Sequence, residues 1–172
     1  RNDRRGSSDR RDDRGERGDR QWTNRNDEAN KFTENDDYGR LDIPESITAD
    51  ALDKGARKHL RSLTKDVADR VARHLVYAGE MLDIDPELAY DHARAAYLHA
   101  ARIDVVREAL GLTSYATERY SEALRELRTY RRMSDDYTHV PLEADSERGL
   151  GRPEKALRFI EGIPLQRLNA ES

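Results

Sequence analysis

Residues 110 to 127 read LGLTSYATERYSEALREL, and the spacing within this stretch decides the fold. Leu110 and Gly111 fall late in one helical pattern, where a missing side chain lets a second helix approach closely. Thr117, Glu118 and Arg119 mark a turn. Tyr120, Ala123, Leu124 and Leu127 then recur at i, i+3, i+4 and i+7, the apolar stripe of a helix that must bury one face. The stretch predicts two helices packed on each other across a tight connection.

The same helix-opening phrase returns one period later as Gly151-Arg152-Pro153-Glu154-Lys155-Ala156-Leu157, with Ala156 placed 33 residues beyond Ala123. One period earlier, Asp85-Pro86-Glu87-Leu88-Ala89 opens a helix in a similar way. A helix, a turn and a helix repeating every ~34 residues resembles the tetratricopeptide repeat (TPR) family. Leu110, Gly111, Tyr120, Ala123, Leu127 and Ala156 are the positions that carry the likeness. Others depart from the family's pattern: Arg107 stands where it has a large aromatic, Glu118 at its turn glycine, Tyr130 at a later small residue and Asp135 at its closing proline. The resemblance implies an all-α, right-handed helix-turn-helix solenoid of about three pairs. It also implies a molecule that works by binding others. An irregular helical bundle would obey the same packing rules without the superhelix.

Working outward, seven helices follow from residue 48 onward. Thr48 caps the first, which runs to about residue 63 with Leu52, Ala56, Leu60 and Leu63 inward. Thr64 caps the second, where Val67, Val71, Leu75, Ala78 and Leu82 form a stripe. Asp85 as cap and Pro86 at the first helical position open the third, whose Ala89, Ala93, Ala96 and Ala100 make a flat ridge. The fourth covers about 103 to 116, the fifth about 119 to 133 and the sixth about 138 to 149. The seventh starts at Pro153 and ends by Gly162 or Pro164. No segment alternates with period two and β-branched residues, so strands are not expected.

Residues 1 to 20 hold eight Arg, six acidic residues, three Gly and no apolar side chain. Such a segment cannot bury enough surface to offset its chain entropy, so residues 1 to 44 are expected to form a disordered leader before a repeat domain at 45 to 172. Trp22, Phe32 and Tyr38 are isolated apolar groups within that leader. An Arg/Gly-rich leader before an Ala/Arg/Glu-rich helical domain resembles the layout of repeat proteins of high-GC actinobacteria, a likeness that implies no defined activity. The last pair leaves Leu157, Phe159, Ile160 and Ile163 with only Leu165 and Leu168 after them. Its final face therefore predicts a longer natural chain, a homodimer through that face, or a tail folded back over it.

The chain has 172 residues, 38% of them charged, a mean hydropathy of -1.04 and no cysteine. Zero cysteines exclude disulfides, zinc-thiolate sites and thiol nucleophiles. No apolar run reaches the ~18 residues that span a bilayer, so no membrane partner is expected and a cytoplasmic site is the default. His92 and His99 lie seven apart with His74 on the preceding helix, yet a metal needs about three or four ligands and neither cysteine nor HExxH joins them. Asp83 with Asp85, and Asp135 with Asp136, sit at helix ends where capping explains them. Neither hydrolase, phosphate-loop nor dinucleotide motifs occur. The expectation is no catalytic residue, no cofactor, no metal and no enzyme.

Binding chemistry is better supplied. The resemblance implies that first helices of each pair line a concave groove, which singles out Arg70, Arg73, His74 and Tyr77 on the second helix. On the fourth it singles out Glu108, Leu112, Tyr115 and the neighbouring Ala116. Tyr and Arg combine large contact area with directed hydrogen bonds and are frequent interface anchors. A protein or peptide partner in this groove is the first reading. On the fifth helix Arg125, Arg128 and Arg132, flanked by Arg131, could meet phosphates or an acidic partner, while Glu122 and Glu126 offer intrahelical pairing. The alternative function is an RNA- or ribosome-associated factor with weak RNA contact through residues 1 to 25. Against it stand a net charge of -4 and a pI near 5.8.

Overall fold

The computed structural model describes residues 41 to 168, so the expected leader lies almost wholly outside the described residues. Within them the chain is all-α. After a short turn of 3-10 helix at Ala49–Ala51 come α1 (Lys54–His59), a second 3-10 turn at Leu60–Ser62, α2 (Lys65–Met81) and α3 (Pro86–Ala100). Then follow α4 (Asp104–Ala116), α5 (Tyr120–Ser134), α6 (Val140–Gly149), α7 (Pro153–Glu161) and the single turn α8 (Leu165–Leu168).

From α2 to α7 each helix packs on the next in chain order, most extensively α4 on α5 and α2 on α3. Equivalent positions fill the interior of each pair. The fourth residues of α3, α5 and α7 are Ala89, Ala123 and Ala156, exposed by 0, 0 and 5%. Val71, Val106 and Val140 play the matching part on α2, α4 and α6, all at 0%. Gly111 lies where α4 meets α5: a Cβ there would fall 2.6 Å from Leu127 Cδ2 and 3.2 Å from the Leu127 backbone nitrogen. Gly149 repeats the arrangement against the Tyr120 ring, at 2.5 Å.

Glu118, in the turn between α4 and α5, has a left-handed backbone with φ 59°, and Gly151, in the turn between α6 and α7, has φ 73°. Asp135 is also left-handed at φ 55° and ends α5. Buried Tyr130 reaches beyond that end, its hydroxyl donating to Asp136 Oδ2 at 2.7 Å.

The first expected helix is a correction. Thr48 makes no cap hydrogen bond and Leu52 is extended, breaking the run after Ala49–Ala51. The cause is Asp53, whose carboxylate accepts the Gly55 and Ala56 amides at 2.6 and 3.2 Å and so starts a new helix five residues late. Of the four residues expected inward there, Leu60 is buried and Leu52, Ala56 and Leu63 are half-buried. At the other end α8 folds back, Arg167 pairing with Asp135 at 2.7 Å, while Leu157 and Leu165 stay 62 and 72% exposed.

Candidate functional site

The four α2 positions Arg70, Arg73, His74 and Tyr77 share one side of the helix, since their spacing is i, i+3, i+4 and i+7. That side does not face α4. Arg73 donates to the carbonyls of Ile47, at 2.7 Å, and Pro44, at 3.3 Å, tying down the chain before α1. His74 is buried and its Nδ1 lies 2.9 Å from Nδ1 of His92 on α3, with Tyr77 edge-on to the same His92 ring. Arg70, Arg73 and His74 line a polar cleft of about 560 Å³ beneath Leu41, Asp42 and Ile43. One imidazole donates to the other, so the pair holds one shared proton. Burial, then the charges of His92, His99, Arg70 and Arg73, push His74 down to about 4. Burial also lowers His92.

A different cleft, of about 260 Å³, opens between α2 and α4. Leu75, Ala78, Gly79 and Leu82 form one wall and Val105, Glu108, Leu112 and Thr113 the other. Leu52 and Ala56 of the chain's own α1 region line it as well, and the segment is pinned beside it by His59, whose Nδ1 lies 2.5 Å from Asp104. Of the residues singled out from sequence, Glu108 and Leu112 therefore belong here. Glu108 also meets His139 Nε2 at 2.6 Å, linking α4 to α6. Tyr115 donates to Asp145 on α6 at 2.7 Å, a bond that raises its phenol above the ordinary value, and Ala116 is exposed. Arg70, Arg73 and His74 line one cleft, Glu108 and Leu112 another, Tyr115 ties α4 to α6 and Tyr77 packs on His92, so the seven do not converge on one groove. The reason is helical phase: the α2 stripe 75, 78, 79 and 82, not 70, 73, 74 and 77, is the one turned to α4.

Sequence reasoning also missed a buried ionic layer. Glu126 and Glu143 are exposed by 0% and Glu147 by 3%. Glu126 accepts from Arg107 Nη1 at 2.6 Å and Arg125 Nε at 2.8 Å; Arg107 also donates to Tyr97 and the Ala101 carbonyl. Glu122 takes the Tyr90 hydroxyl at 2.7 Å and Arg94 at 2.6 Å, coupling α3 to α5. Glu143 grips Arg131 at 2.8 and 3.2 Å, and Glu147 takes Arg128 at 2.8 Å. The expected intrahelical pairs exist for Arg125, but the shorter bonds to Glu122 come from other helices. The only hint in the sequence is the i, i+4 repetition of glutamate on α5 and α6 within otherwise apolar faces.

Among the described residues no group of three or more His, Cys, Asp or Glu could hold a metal ion, and no helix is long and apolar enough to cross a membrane. No family model, no curated protein and no solved structure matches the chain.

Proposed function

We propose that the chain is a non-enzymatic TPR-like repeat module that binds an apolar, helical segment of a partner protein in the cleft between α2 and α4. The observation that carries this reading is the apolar lining of that cleft, where Leu52 and Ala56 join Leu75, Leu82, Val105 and Leu112. A groove walled by apolar side chains between two helices suits the apolar face of an amphipathic helix. Glu108 at the rim offers a carboxylate to a basic residue of the partner. The recurrence of buried alanine and valine in three successive pairs supports the solenoid part of the proposal.

Affinity capture with the full chain and with Leu112→Glu, each with and without nuclease, tests it. A protein retained by the wild type, insensitive to nuclease and lost from Leu112→Glu is the expected result. Capture of ribosomal or RNA material that nuclease removes, or of a protein indifferent to Leu112, would overturn the reading.

A further inference from the structure

The outward side of α5 borders a third cleft, of about 430 Å³, that extends to the α6–α7 turn at Leu150 and Arg152. Arg125, Arg128, Arg131, Arg132 and Arg152 line it and no acidic side chain does. Five guanidiniums thus gather on one surface of a chain whose formal net charge is -4.

Their charge is only partly cancelled. Glu126, Glu143 and Glu147 compensate from behind: they are buried, while the side chains of Arg125, Arg128 and Arg152 remain 42, 40 and 49% exposed. The negative ends of these pairs are turned into the protein and the donors remain at its surface. Each guanidinium has five N–H groups, and the ion pairs use one or two of them. Glu126 is shared with Arg107, and Arg152 comes no nearer than 3.7 Å to Glu147. Arg132, among the described residues, reaches only the Thr129 hydroxyl, at 3.3 Å. The buried glutamates therefore act as fixed anchors that hold arginines in place for a further anion.

Two features choose the kind of anion. Leu124 and Leu150 lie among the arginines, so the cleft offers apolar contact as well as charge. No aromatic ring lines it, whereas single-stranded nucleic acid is held largely by stacking on such rings. Phe159, the nearby ring, is covered by Arg128 and Arg131 at 5.9 and 5.3 Å from its centroid. Arg125 and Arg132 are two helical turns apart, about 10 Å, a span matched by about three residues of extended peptide. We propose that this cleft binds an acidic segment of a partner protein, its carboxylates on Arg125, Arg132 and Arg152 and an apolar side chain between Leu124 and Leu150. The surface is separate from the α2–α4 cleft, and either assignment can fail without the other.

The test is fluorescence anisotropy with the full chain and three labelled probes: a glutamate peptide with leucine at every third position, its lysine counterpart, and single-stranded RNA of equal length. The glutamate peptide is expected to bind at low salt, the lysine peptide not to, and the affinity to fall about tenfold or more as salt rises past ~0.3 M. The double variant Arg132→Glu/Arg152→Glu should bind at least ~10-fold more weakly with unchanged far-UV circular dichroism. Should that variant misfold, Arg132→Glu alone keeps the comparison. Absence of peptide binding at low salt, or equal binding by folded variants, overturns the proposal. RNA held more tightly than the glutamate peptide and lost in the same variant would assign the cleft to nucleic acid instead.

Discussion

Single positions in this chain show how backbone conformation and side chain answer to different constraints. Glu118, in the turn between α4 and α5, holds a left-handed φ of 59°. An L-residue there carries a cost of about 1 kcal/mol, so Glu118→Gly is expected to stabilise the fold by about 0.5 to 1 kcal/mol in urea titration. Gly111 is the reverse case, because its missing Cβ admits Leu127. Gly111→Leu should cost about 1 to 3 kcal/mol through overpacking, and an unchanged urea midpoint would argue against that contact. Arg107 shows a third case: its guanidinium lies over Tyr97 at 4.8 Å, with Glu126 behind it. Arg107→Leu should be more damaging than its volume suggests, by about 3 to 5 kcal/mol, since it removes an interhelical partner from a carboxylate exposed by 0%. If Arg107→Leu and Arg107→Leu/Glu126→Leu prove equally unstable, the buried charge is not the cause.

At the scale of elements, legibility followed the local punctuation. Asp85 and Pro86 at the start of α3, and Pro153 at the start of α7, are signals confined to a few residues, and both helices begin there. The first helix was misread because Thr48 and Asp53 both qualify as caps, and only the folded chain shows that Asp53 accepts the two amides. The site was harder still. Periodicity identifies stripes on α2, but which stripe meets α4 and which meets α3 depends on the packing of three helices, information absent from any one of them. Glu126, Glu143 and Glu147 were illegible for a similar reason, each being neutralised by arginines that include residues of another helix or turn. The α1 segment itself has no fully buried residue between Lys54 and His59, in contrast to Val106, Leu110 and Thr113 in α4. Its amides should therefore exchange with solvent far faster than those of α4, by about two orders of magnitude or more, in native-state hydrogen exchange. Comparable protection in both would show that α1 is held as firmly as the helices it packs beside.

For the molecule as a whole, the buried histidine pair links stability to acidity. The Nδ1 atoms of His74 and His92 stand 2.9 Å apart across α2 and α3, and a further proton would place an imidazolium among buried groups. Arg70, Arg73 and His99 add positive charge around His74. The folded value for His74, about 4, lies below the ordinary 6.5. Above pH 6.5 both folded and unfolded states are neutral at this group and it contributes no pH dependence. Between 6.5 and 4 the unfolded chain takes up a proton that the folded chain refuses, so stability falls as the solution is acidified. The slope is up to about 1.4 kcal/mol per pH unit for each such histidine. His92, lowered by burial as well, acts in the same direction. Because α2 and α3 both pack against α4, loss of this pair should unseat the α2–α4 cleft along with the helices that carry the histidines. His74→Leu/His92→Leu removes both titrating groups while keeping apolar volume. Comparing urea titrations of this variant and the wild type at several pH values isolates their share from that of the carboxylates. The difference in unfolding free energy should be flat above about pH 6.5 and should move in favour of the variant as pH falls toward 4. A constant difference across that range would mean that the pair titrates alike in the folded and unfolded chain, and that its burial is not what couples this fold to pH.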